Sequence, residues 1–319
     1  MSYKDSIIVE RLRKKYGEYF CYIVNPWHMY GWERSVGTSE VPQVIFPEAH
    51  DSLESWLAAG RSLNEATTLK VISSSASDVE AKEGASKIML VGIDENFELS
   101  SEVVTLNGTT AVDTANKWRD INSLEVIECG NPGTSTNAGS IHVKDSTGTF
   151  VIASIYQGQG KSEMGKYTVP PGRELYITKF KVGFEGASAI IGEWILFSSM
   201  HIENSRPERF SKTRILSGGL GSLGDTDGEY VFNEPLKFKA LSQLSFAVQN
   251  VSAEAKVSVF AEGFEVITTD KEIRRIYKKA INNNYKYNYT EKKSSNRMGS
   301  LKNPVYRHVN AGAKTKQVT

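Results

Sequence analysis

Cysteine is almost absent from this chain of 319 residues, in which Cys21 and Cys129 are the only two. Two cysteines cannot hold a domain of this length together with disulfides, and neither lies in a CxxC pair of the kind that binds metals. We interpret both as reduced, buried thiols, which are typical of proteins in a reducing compartment.

Long apolar runs and an N-terminal targeting segment are also lacking. No stretch approaches the ~20 apolar residues that a membrane-spanning helix requires. Residues 1–5 carry no basic region followed by an apolar region, so the sequence contains no signal peptide pattern. We therefore expect a soluble protein that is made in the cytoplasm and does not contact a membrane.

Signatures of catalysis are scarce as well, because GxSxG, HExxH and P-loop motifs are all missing. The five histidines lie far apart, and none has a partner at the spacing of a metal site. Residues 219–224 read GLGSLG and match GxGxxG, but a dinucleotide site needs a helix directly after this motif. Here an acidic turn at 225–228 and a strand pattern follow. We therefore predict a flexible loop between strands, and no catalytic, cofactor-binding or metal-binding residues.

Charge is balanced overall but unevenly distributed along the chain. There are 38 basic and 37 acidic residues, for a net charge of +1. Residues 267–319 contain 13 basic and 3 acidic residues, a net charge of +10, which leaves −9 for the preceding 266 residues. A basic tail on an acidic body indicates that the tail contacts a partner. The acidic body of another copy and nucleic acid are both candidates.

The middle of the chain, residues 67–266, has the pattern of a β-protein. Apolar or alternating segments rich in Val, Ile, Phe and Tyr recur between turn residues, and few helical patterns lie among them. The predicted strands are residues 87–93, 97–106, 123–128, 139–143, 150–155, 175–182, 190–197, 230–232, 244–248 and 256–260. This pattern indicates a mainly β fold with one or two antiparallel sandwiches or jelly rolls. Because proline cannot donate to a sheet ladder, we predict that Pro170, Pro171 and Gly172 form a corner between strands.

The N-terminal arm, residues 1–66, is predicted to be partly helical and not β-like. One helical face carries Ile8, Leu12, Tyr16 and Tyr19, with Asp5 as N-cap and Gly17 as breaker. We predict an aromatic loop over residues 26–32 and a second short helix over residues 53–59. Aromatic residues in such a loop are either buried against the body or exposed as a contact surface.

The C-terminal arm, residues 267–319, is predicted to begin with an amphipathic helix at residues 270–281. Apolar residues recur there at intervals of three and four, and basic residues occupy the other face. From Asn282 the sequence is polar and, on its own, typical of a disordered segment. We hypothesise that the two arms contact partners through Trp27, Trp32, Ile273, Ile276, Tyr277, Ile281 and Tyr306.

Several stretches of the predicted body form a recognisable series. They are SSSASD at 73–78, GA at 84–85, VGID at 91–94, EVVTLNGT at 102–109, NAGSIHV at 137–143 and GQGKSEMGKYTVPPGRELYI at 158–177. This series resembles the SxSxxD…GA…GLD…EtVtLNGT…YTVPaG pattern of virion structural proteins of tailed bacteriophages, especially phages of marine bacteria. Ile93 and Val103 depart from the Leu and Thr of that pattern. The resemblance covers residues 73–177, fades through the rest of the body and leaves out both arms.

The resemblance implies a non-enzymatic structural component of a phage virion, synthesised in the host cytoplasm. It also implies contacts with copies of itself and with other virion proteins, such as major capsid, portal or adaptor, and tail proteins. Capsid decoration or cement, a head–tail collar or connector, and a tail component are all open. A carbohydrate-binding module for host recognition is the alternative. A glycan-acting enzyme is the third reading, because its two carboxylates leave no sequence motif.

Overall fold

The computed structural model describes residues 7–36, 43–45, 66–130, 136–185, 190–200, 211–222, 226–269 and 273–274. As predicted, the fold is mainly β, and the strand pairings in these ranges are antiparallel. The helical elements are α1 (Ile7–Tyr16), the 3₁₀ turn Gly17–Tyr19 and α2 (Phe20–Ile23). The strands are β1 (Val24–Val36), β2 (Gln43–Val44), β3 (Lys70–Ser73), β4 (Ala85–Asp94), β5 (Leu99–Thr105), β6 (Val112–Asp113), β7 (Trp118–Cys129), β8 (Ile141–Lys144), β9 (Val151–Ile155), β10 (Lys166–Thr168), β11 (Arg173–Glu185), β12 (Ile190–Met200), β13 (Ser211–Ser222), β14 (Thr226–Phe238), β15 (Ser242–Gln249) and β16 (Ala255–Ile267).

These strands form four sheets, which we name A to D. Sheet A has the order β1-β16-β11-β14, and sheet B has the order β10-β15-β12-β13 with β2 also paired to β15. Sheet C has the order β5-β4-β7, and sheet D has the order β6-β3-β8-β9. The first half of the described chain thus builds mainly sheets C and D, and the second half builds mainly sheets A and B.

Two apolar cores fill the space among the sheets, and β15 lies between them. One core joins sheets C and D and also takes in Ala247 of β15, while the other joins sheets A and B and contains Phe246. All residues from Ser242 to Val248 are buried. Because side chains alternate along a strand, one face of β15 packs into each core. Sheet B is therefore covered on both sides at this strand.

A smaller third core holds α1 against sheet A. It contains Val9 and Tyr16 of α1 together with Phe264 and Val266 of β16. The predicted helical face is confirmed, since Ile8, Leu12, Tyr16 and Tyr19 all belong to this core or pack against it. Gly17 has φ of +55° and ends α1, as predicted. Asp5 and the helix predicted at residues 53–59 lie outside the described residues.

The ten predicted strands all overlap observed strands, but the prediction of an aromatic loop at residues 26–32 is wrong. These residues belong to β1, which pairs with β16 at the edge of sheet A. Trp27 and Met29 are buried, whereas His28 and Tyr30 between and beside them are exposed, so the segment alternates as a strand does. Pro26 is tolerated because an edge strand does not need every backbone N–H.

The GLGSLG segment is also not the loop that we predicted. Its first four residues, 219–222, continue β13 and pair with residues 190–193 of β12. Glycine side chains add nothing to a strand pattern, so only the backbone ladder identifies this strand. β14 begins at Thr226, so the motif leads into another antiparallel strand.

The proline corner lies where it was predicted, between β10 and β11. The backbone N–H of Arg173 donates to the carbonyl of Pro170 at 3.3 Å, which closes a tight turn. Gly172 has φ of +72°, which residues with a side chain rarely adopt. A Cβ atom on Gly172 would also lie 2.7 Å from Cγ2 of Thr269.

Candidate functional site

Four of the six sequence stretches singled out above, those at 73–78, 84–85, 102–109 and 137–143, meet at one buried carboxylate, that of Asp78. Its Oδ1 accepts hydrogen bonds from the backbone N–H groups of Ala85 and Ala138, both at 2.8 Å. Its Oδ2 accepts from the Ser73 hydroxyl at 2.5 Å and from the Gly139 N–H at 2.9 Å. Asp78 has no exposed surface. We call this arrangement of Ser73, Asp78, Ala85, Ala138 and Gly139 the Asp78 hub.

Further hydrogen bonds connect the same loops around the hub. The backbone N–H of Gly108, in the LNGT stretch, donates to the Asp78 carbonyl at 2.8 Å. Ser74 and Ser140 bond to each other twice, through Ser74 N–H to the Ser140 carbonyl and Ser140 N–H to the Ser74 hydroxyl. Residues about sixty positions apart are thereby held together. The four stretches at 73–78, 84–85, 107–108 and 137–140 form one junction.

Gly84 shows why this part of the motif demands glycine. A Cβ atom at position 84 would lie 2.2 Å from Oδ1 of Asp78 and 2.7 Å from the Ser77 carbonyl oxygen. Backbone and a buried carboxylate cannot move away from such a contact. The GA pair therefore brings the chain close enough for Ala85 to donate to Asp78.

The Asp78 hub positions loops and offers no reactive group. An ionised carboxylate has about four lone-pair directions, and four donors fill them here. A general base or a metal ligand needs a lone pair that faces substrate or metal. Within the described residues, no group of three His, Cys, Asp or Glu side chains could hold a metal ion.

A second buried carboxylate, Asp120 on β7, joins sheets C and B. Oδ1 accepts from Lys166 Nζ and from the backbone N–H of Ile121, both at 2.8 Å. Oδ2 accepts from the Thr168 hydroxyl at 2.6 Å and from Gln243 Nε2 at 2.7 Å. The Lys166 and Asp120 side chains are 0% and 1% exposed. We call Asp120, Ile121, Lys166, Thr168 and Gln243 the Asp120 hub, which the sequence analysis missed.

The other face of β10 carries Tyr167 of the YTVP stretch. Its hydroxyl donates to Oε1 of Glu265 at 2.6 Å, and Arg173 Nη1 donates to Oε2 of the same carboxylate at 2.8 Å. Burial, followed by the negative charge and hydrogen bond of Glu265, raises the pKa of Tyr167 well above the usual value for tyrosine. The YTVP stretch thus donates hydrogen bonds to Asp120 from one face of β10 and to Glu265 from the other.

The hypothesised partner-contact residues fall into three groups. Trp27 and Trp32 are 8% and 9% exposed, and each contacts a tyrosine ring, Tyr167 and Tyr156 respectively, at 5.3 Å between centroids. Ile273 packs against the core that contains α1. Ile276, Tyr277, Ile281 and Tyr306 lie outside the described residues. Partner contact by these seven residues stays a hypothesis, and burial inside the chain accounts for the two tryptophans.

The tryptophans of the body and the two cysteines offer no further functional site. Trp118 and Trp194 are 1% and 2% exposed, so neither presents a ring face to a sugar. Both cysteines are free, but the prediction that both are buried is wrong, since Cys21 is exposed and Cys129 is half-buried. Cys21 lies on α2, a four-residue helix that buries Ile23 instead. Among the described residues, no helix has the length and hydropathy needed to cross a bilayer.

No family model matches the chain, and no curated protein matches it. Among solved structures, it is similar to the VP2 subviral particle of infectious bursal disease virus, with 7% identity, 77% of this chain and 76% of the other covered, and a TM-score of 0.13. The Gx strain of that virus gives 10% identity, coverage of 79% and 82%, and a TM-score of 0.13. TM-scores this low support no argument about fold or function.

Proposed function

We propose that this chain is a structural protein of a tailed-bacteriophage particle and acts through contacts with other particle proteins, not through catalysis. The observation that carries the proposal is the convergence on Asp78 of four of the six stretches that resemble virion proteins. These stretches lie far apart in sequence but form one rigid junction. This junction supports the interpretation that the shared residues specify a scaffold.

The hydrogen-bonding capacity of both buried carboxylates is filled, which supports a non-catalytic role. Asp78 and Asp120 are both buried, and each accepts four hydrogen bonds. Buried polar networks in which every member is satisfied rigidify a core. A particle protein needs such rigidity because its surfaces must keep their relative positions in an assembly.

The first described residues of the C-terminal arm lie beside α1. Ile273, at the start of the C-terminal arm, packs against the core that contains Val9 of α1. We propose that the apolar stripe predicted beyond it, with Ile276, Tyr277 and Ile281, docks on another particle protein or another copy. Capsid decoration or cement, a collar or connector, and a tail component all fit this proposal, with major capsid, portal or adaptor, and tail proteins as partners.

The direct test is quantitative mass spectrometry of gradient-purified particles of the phage that encodes the chain. The proposal predicts peptides of this chain at a constant ratio to the major capsid protein through repeated purification. An abundant host cytosolic protein serves as the control and should fall with each round. If the chain is abundant in infected cells and falls in parallel with that control, the proposal is wrong.

A further inference from the structure

Strand β5 lies at the edge of sheet C, and within the described residues only β4 pairs with it. The pairing with β4 runs without interruption from Leu99 to Thr105. The opposite edge of the sheet, on β7, is covered by residues 160–162, which form backbone hydrogen bonds with Leu124 and Val126. By contrast, β5 presents an open row of backbone hydrogen-bonding groups along its outer side.

The backbone groups on this outer side belong to the odd-numbered residues of β5. Just beyond the two ends of the strand, the N–H of Leu106 donates to the Ser86 carbonyl at 2.8 Å, and the N–H of Asp94 donates to the Glu98 carbonyl at 3.0 Å. Hydrogen-bonded pairs alternate along an antiparallel ladder, so the even-numbered residues between them also face β4. The odd-numbered residues therefore direct N–H and C=O to the free edge. Their side chains are exposed as well, and they are Leu99, Ser101, Val103 and Thr105.

This edge lacks the features that usually block the addition of another strand. Soluble proteins protect edge strands with lysine, proline or a β-bulge. β5 contains no lysine, arginine or proline, and its register with β4 has no bulge, whereas the register between β4 and β7 shifts at four places. The one charged side chain of β5, Glu102, accepts hydrogen bonds from the N–H groups of Ala115 and Asn116 and from Nε1 of Trp118, at 2.6 to 3.2 Å. Its charge is thus bound within the chain and does not guard the edge.

The sequence of β5 is complementary to itself in one antiparallel register. When Ser101 lies opposite Ser101 of a second copy, Leu99 of each copy lies opposite Val103 of the other. Leu99 and Val103 are 42% and 53% exposed, so this register covers both apolar side chains. All of these residues direct their backbone groups to the free edge, so each opposed pair exchanges two hydrogen bonds. A register centred on Glu102 would instead place two carboxylates opposite each other, which is unfavourable.

We infer that two copies of the chain associate through β5, in an antiparallel pair about a two-fold axis at Ser101. The pairing joins the two copies of sheet C into one sheet of six strands. A two-fold interface uses the same patch on both copies and closes on itself, so neither β5 edge stays open. Strand addition of this kind takes its affinity from main-chain hydrogen bonds and its specificity from alternate side chains. The inference does not depend on the chain being a particle protein, because it concerns the purified chain alone.

The first test is sedimentation velocity of the purified full chain over a series of concentrations. The wild type should sediment as a dimer that dissociates on dilution. Val103→Lys places a charge in both symmetry-related pairs with Leu99, so we expect the dimer Kd to rise about tenfold or more. Ile127→Lys is the matched control, since Ile127 is 45% exposed but lies on β7, at the covered edge of the same sheet. The control adds the same charge and should change the Kd by less than about twofold.

Disulfide cross-linking tests the register. The background is the full chain with Cys21→Ser and Cys129→Ser. Ser101→Cys should form a disulfide-linked dimer on oxidation, because Cα atoms of a hydrogen-bonded antiparallel pair lie about 5.5 Å apart, which suits a disulfide. Thr105→Cys, also exposed on β5, would lie about 27 Å from its counterpart and should not cross-link. Far-ultraviolet circular dichroism and urea unfolding verify that every variant is folded.

Four results would overturn the inference. The first is a wild-type chain that stays monomeric up to its solubility limit. The second is a folded Val103→Lys variant that weakens the dimer no more than Ile127→Lys does, and the third is equal cross-linking through positions 101 and 105. The fourth is a monomer whose Ser101 and Val103 amides are protected from hydrogen exchange, because another segment of the same chain would then cover the edge.

Discussion

The Asp78 hub and the Asp120 hub are alike in chemistry and different in what they connect. Each is a buried carboxylate with four hydrogen-bond donors. Three donors to Asp78 are backbone N–H groups, two in the loop before β8 and one at the start of β4. Three donors to Asp120 are side chains of β10 and β15 in sheet B. The first hub therefore shapes loops, and the second fastens sheet C to sheet B.

This difference explains why one hub is visible as a motif and the other is not. Backbone donors require close approach, so the Asp78 hub imposes glycine and small residues at short, regular spacings such as SxSxxD and GA. Side-chain donors on separate strands impose only one residue each, such as Lys166 or Gln243. A rigid loop junction thus leaves a stronger imprint on sequence than an equally buried strand junction.

The largest expected effect is at Asp78. In Asp78→Asn, one oxygen becomes an NH₂ group that faces two donors, so several buried groups lose their partners at about 1–3 kcal/mol each. We expect the free energy of unfolding to fall by about 5 kcal/mol, measured by urea denaturation. Glu80→Gln, at an exposed position two residues away, removes the same charge and should leave stability within error. Equal effects of the two variants would refute the hub's role.

A slightly smaller effect is expected at the strand junction. Lys166→Met leaves the Asp120 carboxylate buried without its cation, which costs about 3–5 kcal/mol. Lys256→Met, which breaks an exposed pair with Glu185, should cost far less. The double variant Asp120→Leu, Lys166→Met should be more stable than the sum of its single changes predicts. Strict additivity in urea unfolding would show that the pair does not act as a unit.

Tyr167 offers an intermediate effect that depends on pH. Its folded-state pKa is raised above the unfolded value near 10, so the folded state keeps a proton that the unfolded state releases at alkaline pH. The stabilisation is therefore complete below pH ~10 and is lost as pH rises above it. Tyr167→Phe should cost about 2 kcal/mol at neutral pH because Glu265 loses a donor. Above pH ~10, unfolding experiments should show a shallower decline for the variant than for the wild type. An unchanged slope would contradict this assignment.

The smallest effect is expected at the proline corner. Gly172→Ala places a side chain at positive φ and against Thr269, for a cost of about 1–2 kcal/mol. Gly158→Ala is the matched control, since Gly158 has φ of +79° but no atom within 4 Å of the added Cβ. Thermal unfolding should show a larger loss at position 172. Equal losses would mean that backbone conformation alone matters at the corner.

Much of the fold could be predicted because alternation and turn residues report strands directly. The segments around β4, β11 and β15 were found in this way, and the pattern around Ile8 and Leu12 located α1. β1 was missed because Pro26, Gly31 and its aromatic residues resemble a loop, and its strand conformation depends on pairing with β16. β13 was missed because glycine and serine carry no pattern, so its ladder with β12 is a property of the tertiary structure.

The candidate site was predictable only as a string of motif residues. Nothing in the sequence indicates that Asp78 reaches the N–H groups of Ala138 and Gly139, because that contact depends on how sheets C and D meet. The Lys166–Asp120 pair, 46 residues apart, has no spacing rule that could reveal it. Buried ion pairs across sheets arise from packing, which local patterns do not encode.

The most direct test of the central claim is electron cryo-microscopy of the purified phage particle at residue resolution. If the chain is a structural protein of that particle, density with the four-sheet body, the Pro170–Gly172 corner and α1 occurs in a symmetric shell, ring or tail. The arms should then contact a neighbouring chain or the genome. A complete particle map in which other proteins account for all of the density would contradict the claim.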